Sequence, residues 1–334
     1  MTTPASLPPR EQDWLVGHET AECTLMSAAQ TGRLHHAWLI TGPVGIGKAT
    51  LAFRFARWLL SGPERQQAAD SLFVDRADPV FRRVAAGSHS DLITVSRGYD
   101  EKKQRFRGEI VVEDVRPIGE LLRRTAAEGG WRTVIIDGVE FLNRNASNAL
   151  LKLLEEPPPR TVLLLVCASP GRLLPTIRSR CRTLRLDALD DTSMMEVLRR
   201  TLPERDDADL EVLASLAHGS PGQALALASE GGIALDGLVH EALASRSTGS
   251  RAYQMVDAVT RQEGGFATFL TLLGDAISKR VRDDARGNAA SARTSDNDIS
   301  IWRQIRRVQD ETERFNLDKR QALLSSLDLL SSLS

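Results

Sequence analysis

The chain has 334 residues, with 43 Lys and Arg against 44 Asp and Glu, a net charge of −1, and only 5 % aromatic residues. This length predicts two or three domains with ample core, and the balanced charge excludes a protein that grips polyanions by overall charge, so any nucleic-acid contact must be local. Three scattered cysteines, Cys23, Cys167 and Cys181, make neither a disulfide framework nor a CxxC metal site, and with no leader and no apolar run of about 18 residues they predict a soluble cytoplasmic protein.

In chain order, HHAWLIT (35–41) predicts a short strand running into the glycine-rich TGPVGIGKAT (41–50), and ATLAFRFARWLL (49–60) carries apolar residues at helical spacing. DLITVS (91–96) and EIVVEDV (109–115) predict further strands or strand edges, separated by the polar RGYDEKKQRFRG. RPIGELLRRTAAEG predicts a helix ending at Gly129 and Gly130, followed by WRTVIID (131–137) as a buried strand. NRNASNALLKLLEEPPP predicts a helix stopped by its prolines, which lack the N–H and restrict the preceding residue. RTVLLLVCAS (160–169) is the most apolar strand. Strands alternating with helices imply an α/β fold with a parallel sheet covered on both faces.

After about Asp187 the strand signal disappears. Short helices punctuated by Gly and Pro run to about Gly232, and long amphipathic helices follow to Ser334. They are interrupted by DDARGNAASARTSDND (283–298), whose polarity predicts a mobile loop.

The candidate site begins in TGPVGIGKAT. Gly42, Gly45, Gly47 and Lys48 fit a phosphate loop, in which backbone N–H groups cradle phosphates and the Lys neutralises them. The strand-loop-helix context favours this over a plain glycine turn. Ala49 stands where a hydroxyl would hold Mg²⁺, and Thr50, rotated by about 100° on a helix, cannot replace it. The cradle therefore predicts ATP or ADP as ligand, with Mg²⁺ weakly held or absent. Asp137 ends the strand VIID, where a metal-facing acid or a simple turn residue would stand, and the next position, where a glutamate would polarise water, is Gly138. Glu140 lies farther along with no evident aim at a γ-phosphate.

HHAWLITGPVGIGKATLAFRFARWLL, VIIDGVEFLNRNASNALLKLLEEPPPRTVLLLVCAS and LLPTIRSRC together resemble the clamp-loader branch of the AAA+ ATPases, and ERFNLDKRQALLSSLDLL resembles that family's helical collar. The resemblance implies a RecA-like AAA+ nucleotide-binding domain over 1–186, a small helical lid over 187–232, and an all-helical collar over 233–334. It further implies a five-membered ring with delta and gamma/tau-type subunits inside a DNA polymerase III holoenzyme, meeting the sliding clamp and primed DNA through the complex.

In that family the Arg of the SRC triplet reaches into a neighbour's nucleotide site, where its always-charged fork steadies the transferring phosphate. Here it is Arg180. From composition alone Arg180 is one more solvated Arg among Arg178, Arg182 and Arg185, and the resemblance makes it the finger. Gly222 stands where ATP-burning relatives place a sensor Arg. Many relatives carry a four-cysteine zinc module after the first helix, but the corresponding SLFVDRADPVFRRVAAGSHSDL has no cysteine, and His89 with Asp91 are too few for structural zinc. The implied function is a loader subunit acting as a stator and an activator in trans, without autonomous hydrolysis. The rivals are a self-sufficient AAA+ ATPase using Lys48, Asp137 and Thr50, and a nucleotide-sensing adaptor in DNA repair.

Overall fold

The computed structural model describes residues 7–100, 105–128, 130–244, 249–287 and 292–330. Its elements begin with α1 (Glu19–Gln30), β1 (Ala37–Thr41), α2 (Lys48–Leu60), α3 (Pro63–Ala68), α4 (Pro79–Ala85), β2 (Leu92–Val95), β3 (Tyr99–Asp100) and β4 (Arg105–Phe106). There follow α5 (Val112–Arg123), β5 (Arg132–Asp137), α6 (Arg144–Glu155), β6 (Thr161–Cys167), α7 (Pro175–Arg178), β7 (Arg182–Arg185) and α8 (Asp191–Thr201). The remainder is helical: α9 (Asp207–Ala217), α10 (Pro221–Ser229), α11 (Gly232–Ala244), α12 (Ser250–Arg261), α13 (Gly265–Gly287), α14 (Ala292–Phe315) and α15 (Lys319–Leu330).

The chain divides into two compact units. The first holds Met1–Thr201 with His218–Gly222, and the second holds Leu202–Ala217 with Gln223–Ser334. Of the segment 187–232, α8 and the turn 218–222 thus belong to the first unit, and α9 with the rest of α10 to the second.

In the first unit, β2, β5, β6, β1 and β7 lie side by side in that order, all parallel, as the alternating pattern predicts. Thr41 pairs in register with Cys167, and Asp137 with Val166, so the C-terminal ends of β1, β6 and β5 are level. β1 and β6 are wholly buried, because helices cover both faces of the sheet. Ala37, Leu39, Val134, Ile136, Leu163 and Leu165 face a core completed by α5 and α6. α2 packs against β1, β5 and β6, and is itself buried at Lys48 and from Leu51 to Leu60, including Arg54 and Arg57.

The chain ahead of α1 completes the burial of α2. Arg57 donates to the Arg10 carbonyl at 2.8 Å and to that of Gln12, with its guanidinium 4.6 Å from the Phe81 ring centre. Arg54 donates to Glu22 at 2.6 Å and to the Asp13 carbonyl. The Arg76 fork holds Asp13 by two bonds, of 2.8 and 2.9 Å, and this pairing keeps the Asp13 carboxyl below its ordinary range.

Three local expectations are corrected. Residues 109–115 do not form a strand. Ile110 makes a single bridge to Leu142, and α5 starts at Val112 because the Asp114 carboxylate accepts the Val111 N–H at 3.0 Å, a cap that outweighs the β-branched run. That helix ends at Arg123, well before the expected glycines, where Arg132 takes the Leu122 carbonyl at 2.6 Å and the Arg124 carbonyl at 2.5 Å; Gly129 lies outside the described residues. The polar separator between the two expected strands contains the antiparallel β3–β4 hairpin, with Tyr99 opposite Phe106.

The second unit is built of helices around Leu235, Val239, Val256, Phe269, Leu273, Ile305 and Leu327. The loop expected over 283–298 is helical at both ends: α13 continues to Gly287 and α14 resumes at Ala292, while 288–291 lie outside the described residues. Ala and Arg favour helix whatever their polarity. Asp298, expected in the loop, is buried on α14 and pairs with Arg280 of α13 at 3.2 Å. Among the described residues no helix is long and apolar enough to cross a membrane.

Candidate nucleotide site and exposed arginine

The glycine loop joins β1 to α2. Gly42, Gly45 and Gly47 all take positive φ. Gly47, at +102°, caps α2 in a left-handed conformation, and a Cβ there would lie 2.8 Å from Leu15 Cδ1, so only glycine fits without strain. Lys48 opens the helix, buried, with Nζ donating to the carbonyls of Gly42, at 2.9 Å, and Pro43. Burial lowers the pKa of its ammonium, against the opposing pull of Glu140 and Asp137.

Every carbonyl from Gly42 to Gly47 accepts a hydrogen bond from within the chain. Beyond the two held by Lys48, the Ser220 hydroxyl donates to Val44 at 2.7 Å and the Gly222 N–H to Gly45 at 2.9 Å. His18 Nε2 bonds the Ile46 carbonyl at 2.6 Å, and the Leu51 N–H bonds Gly47 at 2.9 Å. Carbonyls fixed in this way leave the loop one shape. At Gly222 the approach is so close that a Cβ would stand 2.8 Å from Gly45 Cα and 3.0 Å from its oxygen. This arrangement has no room for a sensor side chain at that position.

Asp137 stands at the end of β5, exposed, as the strand pattern predicts. Crowding by the surrounding protein raises its pKa and Glu140 adds to the rise, while Lys48 and Arg97 oppose it. Gly138 follows with φ +82°, starting a tight turn whose Phe141 ring would meet a Cβ at 2.9 Å. Glu140 does not take over the missing acid's task. Its Oε1 accepts the Ala168 N–H at 2.8 Å, and its Oε2 is buried with no hydrogen-bond partner among the described residues. The Cys167 thiol beside it is pushed up to about 12, first by burial and then by Glu140. Ser220 and His18 are the neighbours that sequence reasoning missed, since each acts on a loop far from it in the chain.

The loop's backbone suits a phosphate. The metal ligands do not fit: Ala49 presents a methyl, Thr50 lies one residue around the helix, and Asp137 has no companion acid at Gly138. His89 and Asp91 serve the fold, with the Asp91 carboxylate accepting the N–H groups of Ala127 at 2.8 Å and Glu128 at 3.2 Å.

Arg180 lies between α7 and the edge strand β7. Its guanidinium donates to the Thr176 carbonyl at 3.0 Å and to Glu155, at the end of α6, at 2.8 Å. None of these partners is in the phosphate loop. The geometry separates it from its basic neighbours: Arg182 lies 4.9 Å from the Trp38 ring centre, and Arg185 pairs with Asp187 at 2.9 Å.

His18, His36 and His89 share one perturbation, since burial lowers the pKa of each imidazole. Each therefore binds fewer protons folded than unfolded, where the ordinary value is about 6.5. Stability should be complete above that value and decline as pH falls through it, by at most about 1.4 kcal/mol per pH unit for each histidine. Thermal midpoints across this range should fall with pH, and His18→Gln, which keeps a donor for Ile46, should remove part of the slope. A midpoint that is flat or rises on acidification would refute the assignment.

The sequence model of the family described as DNA polymerase III, delta subunit, matches residues 17–190. The chain is 39 % identical over 196 residues to the DNA polymerase III subunit delta' of Pseudomonas aeruginosa, covering 59 % of this chain and 56 % of that protein. It is 30 % identical over 279 residues to the DNA polymerase III subunit tau of Escherichia coli, covering 81 % of this chain and 41 % of that protein. The chain thus spans about half the length of these curated relatives. Among solved structures, a DNA polymerase III gamma subunit-related protein from Thermotoga maritima superposes with a TM-score of 0.51 at 17 % identity, covering 92 % of this chain and 98 % of the other. That likeness shows a shared fold.

Proposed function

This chain belongs to the DNA polymerase III delta subunit family, and from that premise we propose that it is a clamp-loader subunit of the delta' kind. It sits in a five-membered ring with delta and gamma/tau-type subunits, in the cytoplasm, and helps place the sliding clamp on primed DNA. Within the ring it is a stator that hydrolyses no ATP and lends Arg180 to a neighbour's site. Any ATP or ADP in its own cradle is held by backbone N–H groups and Lys48, without a productive Mg²⁺ and without zinc elsewhere in the fold.

The observation that carries this reading is the phosphate loop whose six carbonyls are all engaged inside the chain, beside Ala49 and Gly138. Phosphoryl transfer depends on a held metal, an oriented water and stabilised charge. The first two lack their ligands here, and the Gly45–Gly222 contact excludes the sensor arginine that would help with the third. A stator needs the fold without the reaction.

The isolated chain should therefore hydrolyse ATP no faster than background, and Lys48→Ala should change nothing. The measurement is phosphate release by the purified chain, then by the chain mixed with its partner subunits and primed DNA. Turnover by the chain alone that vanishes in Lys48→Ala would make it a self-sufficient ATPase. Stimulation only in the mixture supports the stator.

A further inference from the structure

We propose that the groove between α5 and α6 is a docking site for a short acidic amphipathic helix of a protein partner, whose apolar stripe lies on Val115, Ala149 and Leu153 and whose carboxylates meet Arg116, Arg123 and Lys152. The two helices pack against each other in the first unit. They leave between them a cleft of about 420 Å³, within the range of ligand-binding clefts. Val112, Arg116, Gly119 and Arg123 recur at four- and three-residue spacing along α5, and Asn145, Asn148 and Lys152 do so on α6, so each helix turns one face to the cleft. The floor is apolar and continuous with the core. Val115 is 1 % exposed, and Ala149 and Leu153 lie partly buried against the cluster to which it belongs.

The rim is charged in one sense. No residue lining the cleft is acidic, and Arg116, Arg123 and Lys152 are exposed, with no ion pair among the described residues. Gly119 is an independent sign. A Cβ there would meet nothing within 4 Å, so nothing inside the chain calls for a glycine in the middle of α5, where it weakens the helix relative to alanine. What the bare backbone offers is close approach from outside.

Chemistry and size select the occupant. α5 is 12 residues long, about 18 Å, which matches a short helix, and an amphipathic helix laid in a groove anchors through residues at i, i+3, i+4 and i+7. Cations without partners call for carboxylates flanking that stripe. The cleft has no aromatic lining, so it lacks the platform on which unpaired bases stack, and a duplex backbone resting on the cations would leave the apolar floor uncovered. A second copy presenting the same face would set cations against cations. The site owes nothing to the replication reading above, and the Arg180 assay below is read on a different activity, so failure of either leaves the other standing.

The probe is a fluorescein-labelled peptide of about 14 residues, with leucines at i, i+3, i+4 and i+7 and glutamates around them. It is titrated with the full chain at about 50 mM salt, where exposed charges are weakly screened, and followed by fluorescence anisotropy. Saturable binding is expected, weakening as salt rises. Arg116→Glu and Lys152→Glu should each lower the affinity about fivefold, and the fold should be untouched because both side chains are exposed. Gly119→Met fills the cleft from a position with open space beside it, so it should weaken binding about tenfold or more, the loss of one buried leucine, with the thermal midpoint unchanged or higher. A peptide of the same composition in scrambled order should lose as much. No saturable binding by the folded chain, a scrambled peptide equal to the designed one, or Gly119→Met binding as the parent does would each overturn the proposal. So would an oligothymidylate of about 20 nucleotides that binds more tightly than the peptide and loses affinity in the same variants, which would make the face a nucleic-acid contact. A dimer of the chain that Gly119→Met dissolves would overturn it too, as a contact between copies.

Discussion

Arg180→Ala in a reconstituted loader should reduce ATP turnover at the neighbouring site by about 10³-fold, the lower end of what a finger supplied in trans contributes, while the altered chain folds and assembles normally. Folding is spared because Arg180 is half exposed and its ion pair with Glu155 is a surface contact, of a kind worth about 0–1 kcal/mol. On the proposed reading, that pair would store the finger. The fork is held by a carboxylate in the isolated chain and released at little cost when a more strongly charged phosphate arrives. Glu155→Gln should accordingly leave turnover intact or raise it.

The controls follow from the contacts. Arg178→Ala removes an exposed charge one turn-end away and should be nearly silent. Arg182→Ala also loses the stacking on Trp38, so a modest stability loss is expected there without the kinetic one. The total rate falls slightly if the ring's sites fire independently and almost completely if they are coupled. Equal effects from all three substitutions, or an unchanged rate in a correctly assembled Arg180→Ala ring, would remove the finger.

What the residues announce in advance is whatever is local. Five buried positions in a row at Ala37–Thr41 and seven at Thr161–Cys167 read as strands because a sheet covered on both faces favours near-continuous apolar runs. The turn before α2 reads as a phosphate loop because Gly42, Gly47 and Lys48 fall at that loop's spacing within one short stretch. The end of α6 is legible because Pro157, Pro158 and Pro159 cannot continue it. The misreadings were settled by partners the local pattern does not contain. At 109–115 a β-branched run was overridden by one capping carboxylate, Asp114. Arg280 and Asp298 meet across a segment whose polarity suggested a loop. The hairpin at Tyr99 and Phe106 lay hidden in a charged stretch, because two-residue strands have no period to detect.

The same distinction governs the site. Ala49 and Gly138 are visible as missing chemistry, but the meaning of Gly222 is not. Its absent side chain reads as a lost sensor, and only the 2.9 Å bond from its N–H to Gly45 turns the loss into a requirement. His18 and Ser220 likewise carry no local signal of their bonds to Ile46 and Val44.

Arg57→Ala should destabilise the first unit by about 3 kcal/mol, the range for removing a buried, hydrogen-bonded charged donor and leaving its acceptors and volume empty. At 1 % exposure Arg57 is among the most deeply buried large side chains of the described residues, and burial lowers its pKa to about 10, so it stays charged at neutral pH, with no carboxylate among the described residues in hydrogen-bond contact. Its charge is compensated by the carbonyls of Arg10 and Gln12 and by the Phe81 ring. Truncation strands those carbonyls and unfastens the strap ahead of α1, which also holds Arg54 through the Asp13 carbonyl. For a unit of this size the loss should lower the thermal midpoint by about 6–12 °C and increase proteolysis near residues 9–13. Arg57→Met separates the two causes. It keeps most of the volume and loses the donors, so it should fall between parent and alanine if the hydrogen bonds carry the effect. A methionine variant as stable as the parent would mean that the buried guanidinium only offsets its own desolvation, as buried charges often do, and that packing alone fastens the strap.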